Sequence, residues 1–248
     1  MTTLSVNVNK LATLRNARGK NNPDVLKTTL DIISYGARGI TVHPRPDERH
    51  IRKSDVIQIA NTISVELNIE GYPDPDFLAF VKKIKPAQCT LVPDPPHVLT
   101  SNAGWLIEKN KKLLCDTVKS LHDSGIRTSL FIDPTTLSEK ELALLPETKT
   151  DRVELYTEQY AETYGTPLAQ ETLDSYKRAA ENINAFGIDL NAGHDLSLVN
   201  LRHFVKTIPI IKEVSIGHAL ICDALEFGLK ETIKRYLISL TSLNRPAE

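Results

Sequence analysis

His43, Glu70, Glu154 and His194 lie too far apart in the chain to form a local motif, yet each stands at or just beyond the end of a short β-branched run. Imidazole and carboxyl groups are readily tuned by their surroundings toward neutral pH, so this set suits proton transfer. Asn7, Asn9 and Asn191 end other runs, and Gly217-His218 ends the last. Each residue alone has a plain explanation: His43 as a hydrogen-bonded strand end, Glu70 as a solvated carboxylate, His194 as a loop residue beside a helix start. Their joint placement at run ends is what points to a shared site. Metal coordination is the competing use of His and Glu. No HExxH pair is present, and no metal is expected.

The elements that must position these groups alternate along the chain. Candidate strands are residues 4–9, 39–43, 64–70, 88–92, 127–133, 151–156, 187–191 and 213–217. Between them, residues 24–36, 108–124 and 172–186 repeat apolar side chains every three or four positions, the period of a helix with one buried face. Parallel neighbours need crossover connections, so eight strands alternating with helices predict a parallel sheet. Eight strands close the common (β/α)8 TIM barrel, and 248 residues match its length of about 250. The alternative is an open doubly wound sheet. No GxGxxG or GxxxxGK[ST] loop follows a strand, which counts against it. Helix ends are predicted at Gly36, Gly125 and Gly187, and helix starts at Ser54-Asp55 and Ser197. No linker divides the chain, so residues 1–248 are expected to form one catalytic domain.

Thirty basic and thirty-one acidic residues leave a net charge of −1. That excludes a global basic field for nucleic acid or an anionic membrane, and leaves local binding of a small phosphorylated ligand. Cys89, Cys115 and Cys222 suggest neither a disulfide framework nor a metal motif, as expected for a reducing cytoplasm. No signal peptide is legible at the start, and no apolar run reaches the ~18 residues of a membrane span. Phosphate could be gripped at Gly217-His218, ahead of the apolar helix expected over 219–237. Other candidates are Arg15, Arg18 and Lys20 after the first strand, and Arg45 two residues beyond His43. Arginine's fork matches phosphate oxygens, which favours Arg18 and Arg45. Two basic clusters suggest two phosphates, or one ligand with two ends. His97, His122 and His203 receive no role, and Trp105 is expected to be structural.

Seven segments carry a recognisable pattern: VNVNKLATLRNARG (6–19), GITVHPRPDERHI (39–51), LNIE (67–70), LVP (91–93), SLFID (129–133), NAGHDL (191–196) and IGHALI (216–221). In this order and across nearly the whole chain, they resemble the pyridoxine 5′-phosphate synthase family. The resemblance implies a TIM barrel with extra helices, assembled as a homo-octamer in the cytoplasm. It implies condensation of 3-amino-2-oxopropyl phosphate with 1-deoxy-D-xylulose 5-phosphate to pyridoxine 5′-phosphate, inorganic phosphate and water, without a cofactor. By the same resemblance His43 and Glu70 are proton acceptors, His194 is a proton donor and Glu154 stabilises the transition state. Arg45, His50 and Thr100 would contact the deoxyxylulose phosphate, while Asn7, Arg18, Gly217 and His218 would contact the amino-oxopropyl phosphate.

Three departures stand out. The family commonly has Asp-His where this chain has Asn9-Lys10, so sugar-phosphate contacts should differ and Lys10 could meet a phosphate. Asp195 replaces a common glycine; its carboxylate would repel phosphate or raise the pKa of His194. Gly71-Tyr72-Pro73 should reshape the loop after Glu70. Two rival readings remain at this level. One is a Schiff-base aldolase or an isomerase on phosphorylated sugars, with Lys10 as the aldolase candidate. The other is a non-catalytic phosphate-ligand-binding barrel.

Overall fold

The computed structural model describes residues 1–93 and 103–241. Eight parallel strands close a barrel in chain order: β1 (Thr3–Asn7), β2 (Gly39–Val42), β3 (Glu66–Gly71), β4 (Gln88–Leu91), β5 (Arg127–Ile132), β6 (Arg152–Tyr156), β7 (Asp189–Gly193) and β8 (Ile211–Ile216). β1 pairs with β8 from Thr3↔Glu213 to Val6↔Ile216, which completes the circle. Helices α1 (Asn9–Asn16), α2 (Val25–Ser34), α3 (Lys53–Thr62), α4 (Pro75–Ile84) and α5 (Ile107–His122) serve the first half. The second half carries α6 (Glu139–Leu144), α7 (Glu158–Thr163), α8 (Ala169–Ala185), α9 (Leu201–Thr207), α10 (His218–Phe227) and α11 (Leu229–Leu240). Among the described residues no helix is long and apolar enough to cross a membrane.

Local chemistry explains where the helices begin and end. Asp74 accepts the Phe77 N–H at 2.9 Å, and Pro75 supplies a preset φ in the first turn of α4. Gly36, Gly125 and Gly187 follow α2, α5 and α8 at φ 116°, 75° and 77°, as expected from the sequence. Two expected starts move. Arg52 precedes α3, and Asp55 reaches back from the third helical position to its N–H at 2.9 Å, so Ser54 is not the cap. Asn200 precedes α9, while Ser197 accepts the Val199 N–H at 3.3 Å one turn earlier. The single helix expected over 219–237 is two, broken at Gly228 with φ 75°.

Period-two alternation along the strands separates two environments. Leu4, Val6, Ile40, Val42, Ile69, Leu91, Leu130, Val153, Leu190 and Val214 are buried with the apolar faces of the helices. Most of the alternate positions are polar and bond to one another across strands. Ser5 meets Thr41 at 2.8 Å, Thr90 donates to Asn68 at 3.0 Å, and Arg127 donates to Gln88 at 2.9 Å. Branched apolar layers usually fill such a barrel; here hydrogen-bonding side chains take their place.

Glu213 lies in this interior, 6% exposed, and Asn191 donates to it at 3.5 Å. Burial pushes its carboxyl up to about 7, with Arg152 and Arg127 opposing and Glu66 adding. A raised carboxyl binds more protons folded than unfolded, so its contribution to stability falls as pH climbs from about 4.5 through 7. Glu213→Gln should therefore gain on the wild type between pH 5 and pH 8, by up to about 3 kcal/mol. Urea unfolding at both pH values measures this; a pH-independent difference would contradict it.

Candidate active site

His43 follows β2, Glu70 lies near the end of β3, Glu154 lies within β6 and His194 follows β7. Parallel strands bring these C-terminal ends to one face, where a cavity of about 390 Å³ collects all four. Asn7, Asn9, Lys10, Arg45, His50, Asp195, Gly217 and His218, which the sequence names as candidate substrate contacts, also line it. Arg18 does not: it is exposed in the turn after α1. Its neighbour Arg15 is buried and pairs with Asp55 at 2.6 Å, tying α1 to α3, so it leaves the expected basic cluster. Thr100 and His97 lie outside the described residues. Trp105 is structural, donating to the Leu91 carbonyl at 2.8 Å and stacking on Tyr72.

Glu158, Ser215, Phe131 and Val92 join the lining without having been expected. Ser215 and Phe131 belong to the inward set of their strands, so alternation could have found them. A second cavity of about 450 Å³ shares His43 and Arg45 and continues past Tyr72 toward Phe77 and Phe80 on α4.

The N-terminal segment braces the centre. Asn9 accepts the His43 backbone N–H at 3.0 Å and donates its own N–H to Asn7 at 3.0 Å. Asn7 in turn donates to Glu70 at 3.5 Å. The His43 Nδ1 lies 3.9 Å from Glu70, and their side chains are 12% and 13% exposed. The Thr90 hydroxyl, which donates to Asn68, also lies 3.5 Å from Glu154. The His194 ring meets Tyr156 edge-on at 5.1 Å, and its Nδ1 lies 2.6 Å from Asp195.

These environments drive the protonation states apart. Burial lowers His43 to about 3, helped by the charges of Arg45, His50, Arg49 and His194. Burial raises Glu70 to about 7; His194 and Arg45 pull against it and Glu213 adds. Glu154 is held well above the usual carboxylate range by burial, Glu70 and Glu213, against the Thr90 hydrogen bond. His194 goes the other way. Burial works against its charge, but Asp195, Glu70 and Glu158 outweigh that and raise it. Burial, Lys10, Arg45 and Arg49 lower His50 to about 4. At neutral pH the cavity thus offers a neutral imidazole and a carboxyl near its midpoint, beside a second carboxyl biased toward its acid form and an imidazole biased toward its cation. Such a set can take and give protons at several points of one bound molecule.

Fold and site together define a (β/α)8 barrel with an ionisable polar cavity at the C-terminal ends of its strands. The chain belongs to the family described as pyridoxal phosphate biosynthesis protein PdxJ, whose model matches residues 4–242. It is 54% identical over 236 residues to pyridoxine 5′-phosphate synthase of Porphyromonas gingivalis, covering 95% of this chain and 98% of that one. The corresponding protein of Phocaeicola vulgatus is 52% identical over 243 residues, with 98% and 100% covered. Among solved structures, phosphoribosyl anthranilate isomerase of Thermotoga maritima is similar at TM-score 0.62 and 12% identity, covering 98% and 100% of the two chains. A tryptophan synthase of Mycobacterium tuberculosis is similar at 0.66 and 12%, covering 96% and 92%. At these identities the two structures share the barrel with this chain.

Proposed function

We propose that this chain is a pyridoxine 5′-phosphate synthase, joining 3-amino-2-oxopropyl phosphate to 1-deoxy-D-xylulose 5-phosphate. The products are pyridoxine 5′-phosphate, inorganic phosphate and water. Membership of the family supports the reading, as does the name shared by relatives of more than half identity. The observation that carries the mechanism is the convergence of His43, Glu70, Glu154 and His194 on one cavity with separated protonation states. Imine formation, dehydration, phosphate loss and ring closure move protons at successive carbons, so several positioned groups are required. His43 and Glu70 accept protons, His194 donates one, and Glu154, biased toward its acid form by burial, offers a hydrogen bond to developing negative charge. Holding both substrates removes much of the entropic cost of a two-molecule condensation.

Lys10 and Arg45 supply cationic charge beside the cavity, and Gly217-His218 opens α10 toward it, which suits phosphorylated substrates. Arg18 and Thr100 stay in the proposal as substrate contacts on the resemblance alone. Lys10 stands in the first turn of α1 and not on a strand, which favours phosphate contact over a Schiff base. Free Cys89, Cys115 and Cys222 suit a reducing cytoplasm. Exposed Leu225 and Phe227 on α10 suit burial between subunits of an octamer.

The test is the purified protein with both substrates, with and without chelator. Pyridoxine 5′-phosphate formed in both conditions supports the reading, and none formed with either substrate order removes it. Lys10→Ala is expected to raise the KM of one phosphorylated substrate about 10–100-fold, the worth of a charge-assisted hydrogen bond, with a smaller change in kcat. Unchanged KM values for both substrates would take Lys10 out of the site.

A further inference from the structure

His194 holds a backbone conformation that histidine rarely adopts, φ 85°, immediately after β7. Such strain persists only where the surroundings over-determine it. Here one hydroxyl does much of the work. Thr157 donates to the Gly193 carbonyl at 2.7 Å and accepts the Asp195 N–H at 3.2 Å, clamping both flanks of His194. Asn200 adds a bond to the Asp195 carbonyl at 3.3 Å, and Tyr160 secures Asn200 at 2.9 Å. The clamp sets the Asp195 carboxylate 2.6 Å from the His194 Nδ1. At that distance a proton must lie between nitrogen and oxygen, and the imidazole is the more basic partner.

A carboxylate in a cavity meant for phosphates is a liability unless a cation answers it. Resting on the synthase reading above, we propose that Asp195 is a positioning residue for the reaction, holding the His194 ring by Nδ1–H so that Nε2 delivers the proton. Nε2–H passes its proton to the departing oxygen of the substrate, leaving a neutral ring still protonated at Nδ1. Nε2 is then reprotonated from solvent, which receives in exchange the proton that Glu70 has taken from the substrate. The Nδ1–H bond to Asp195 is kept throughout, so the ring neither rotates nor changes tautomer during the cycle.

Among the described residues, the titratable groups facing His194 include Asp195, Glu158 at the start of α7, Glu70 on β3, His43 after β2 and Tyr156 on β6. Glu70 and Glu158 favour the cation from further away, whereas the hydrogen bond to Asp195 fixes Nδ1 as the nitrogen that keeps its proton. Removing the Asp195 charge should therefore shift the titration of His194 toward acid and release the ring orientation.

The experiment compares wild type, Asp195→Asn and Asp195→Glu as full-length enzymes. NMR of labelled histidine follows His194 in the free protein, assigned by the signal missing from His194→Gln. The basic limb of kcat against pH is measured alongside. Asp195→Asn should move the His194 midpoint and the kcat limb together toward acid. Its kcat near pH 7.5 should fall ~10–10²-fold, part of the range for a general acid, with KM little changed. Asp195→Glu should restore most of both. An unmoved His194 midpoint in Asp195→Asn overturns the proposal, and so does a KM rise with kcat and its limb intact, the sign of a substrate contact. If Asp195→Asn does not fold, Asp195→Glu decides, since a carboxylate variant without the basic limb also overturns it. Wild type that makes no pyridoxine 5′-phosphate fails the synthase reading, while the NMR titration still tests the pairing by itself.

Discussion

Glu70→Gln is expected to lower kcat by ~10²–10⁴-fold, the usual contribution of a positioned acid–base group, while the protein remains folded. The substitution keeps size and an acceptor oxygen for the Asn7 amide, so the bracing of the N-terminal segment survives. What disappears is the titration near pH 7, created by burial against the opposing pull of His194 and Arg45. A glutamine can neither take nor return a proton at any pH. The loss should therefore sit in kcat and not in KM. Single-turnover rates with both substrates, with circular dichroism as the control for folding, measure it. Near-normal turnover would remove Glu70 from the chemistry. His43→Asn and His194→Asn carry the same expectation, since each deletes one member of the set.

Gly193→Ala is expected to cost about 10²-fold in kcat/KM, the effect of displacing a catalytic group by about 1 Å. A methyl at this position would stand 2.5 Å from a Glu154 oxygen and 2.7 Å from the Ser215 carbonyl. Both contacts are too short to keep, so Glu154 is displaced and the β7–β8 ladder at Ser215 must also give by some tenths of an ångström. Its surroundings leave little freedom, because Thr90 lies against its other oxygen and it is 2% exposed. Overpacking of this kind also destabilises by roughly 1–3 kcal/mol. Kinetics and thermal unfolding of the same preparation separate the two effects. Wild-type kcat/KM in a folded variant would show that Glu154 does not need its present position.

Much of this was legible before coordinates, for identifiable reasons. Eight short apolar runs correspond to the eight strands because each is bounded by turn residues, and parallel closure alone carries His43, Glu70, Glu154 and His194 to one face. Boundaries drift where a cap competes with the run: β7 begins at Asp189 and not at Gly187, since that glycine closes α8. The break at Gly228 is hidden by an apolar pattern that continues through it. Arg15 and Arg18 look alike in a basic segment, and only Asp55, forty positions away, separates a buried tie from an exposed side chain. The division of protonation states lies beyond any spacing rule. Burial depth and the fields of residues on other strands set it, and Glu213 contributes to it from below the cavity.

The polar interior also bears on how the chain finds its pairing. In strands buried on both faces by apolar side chains, a slip of one residue exchanges like for like. Here every strand is two-faced, so a slip would turn Thr41, Asn68, Thr90 and Asn191 under the helices and aim Ile40, Leu67, Cys89 and Leu190 into the hydrogen-bonded centre. Misregistered barrels would orphan polar groups on one side and expose apolar rows to a polar core on the other. The residues that give the cavity its chemistry thus share their strands with a proofreading code, repeated around the barrel, that rejects wrong alignments during folding.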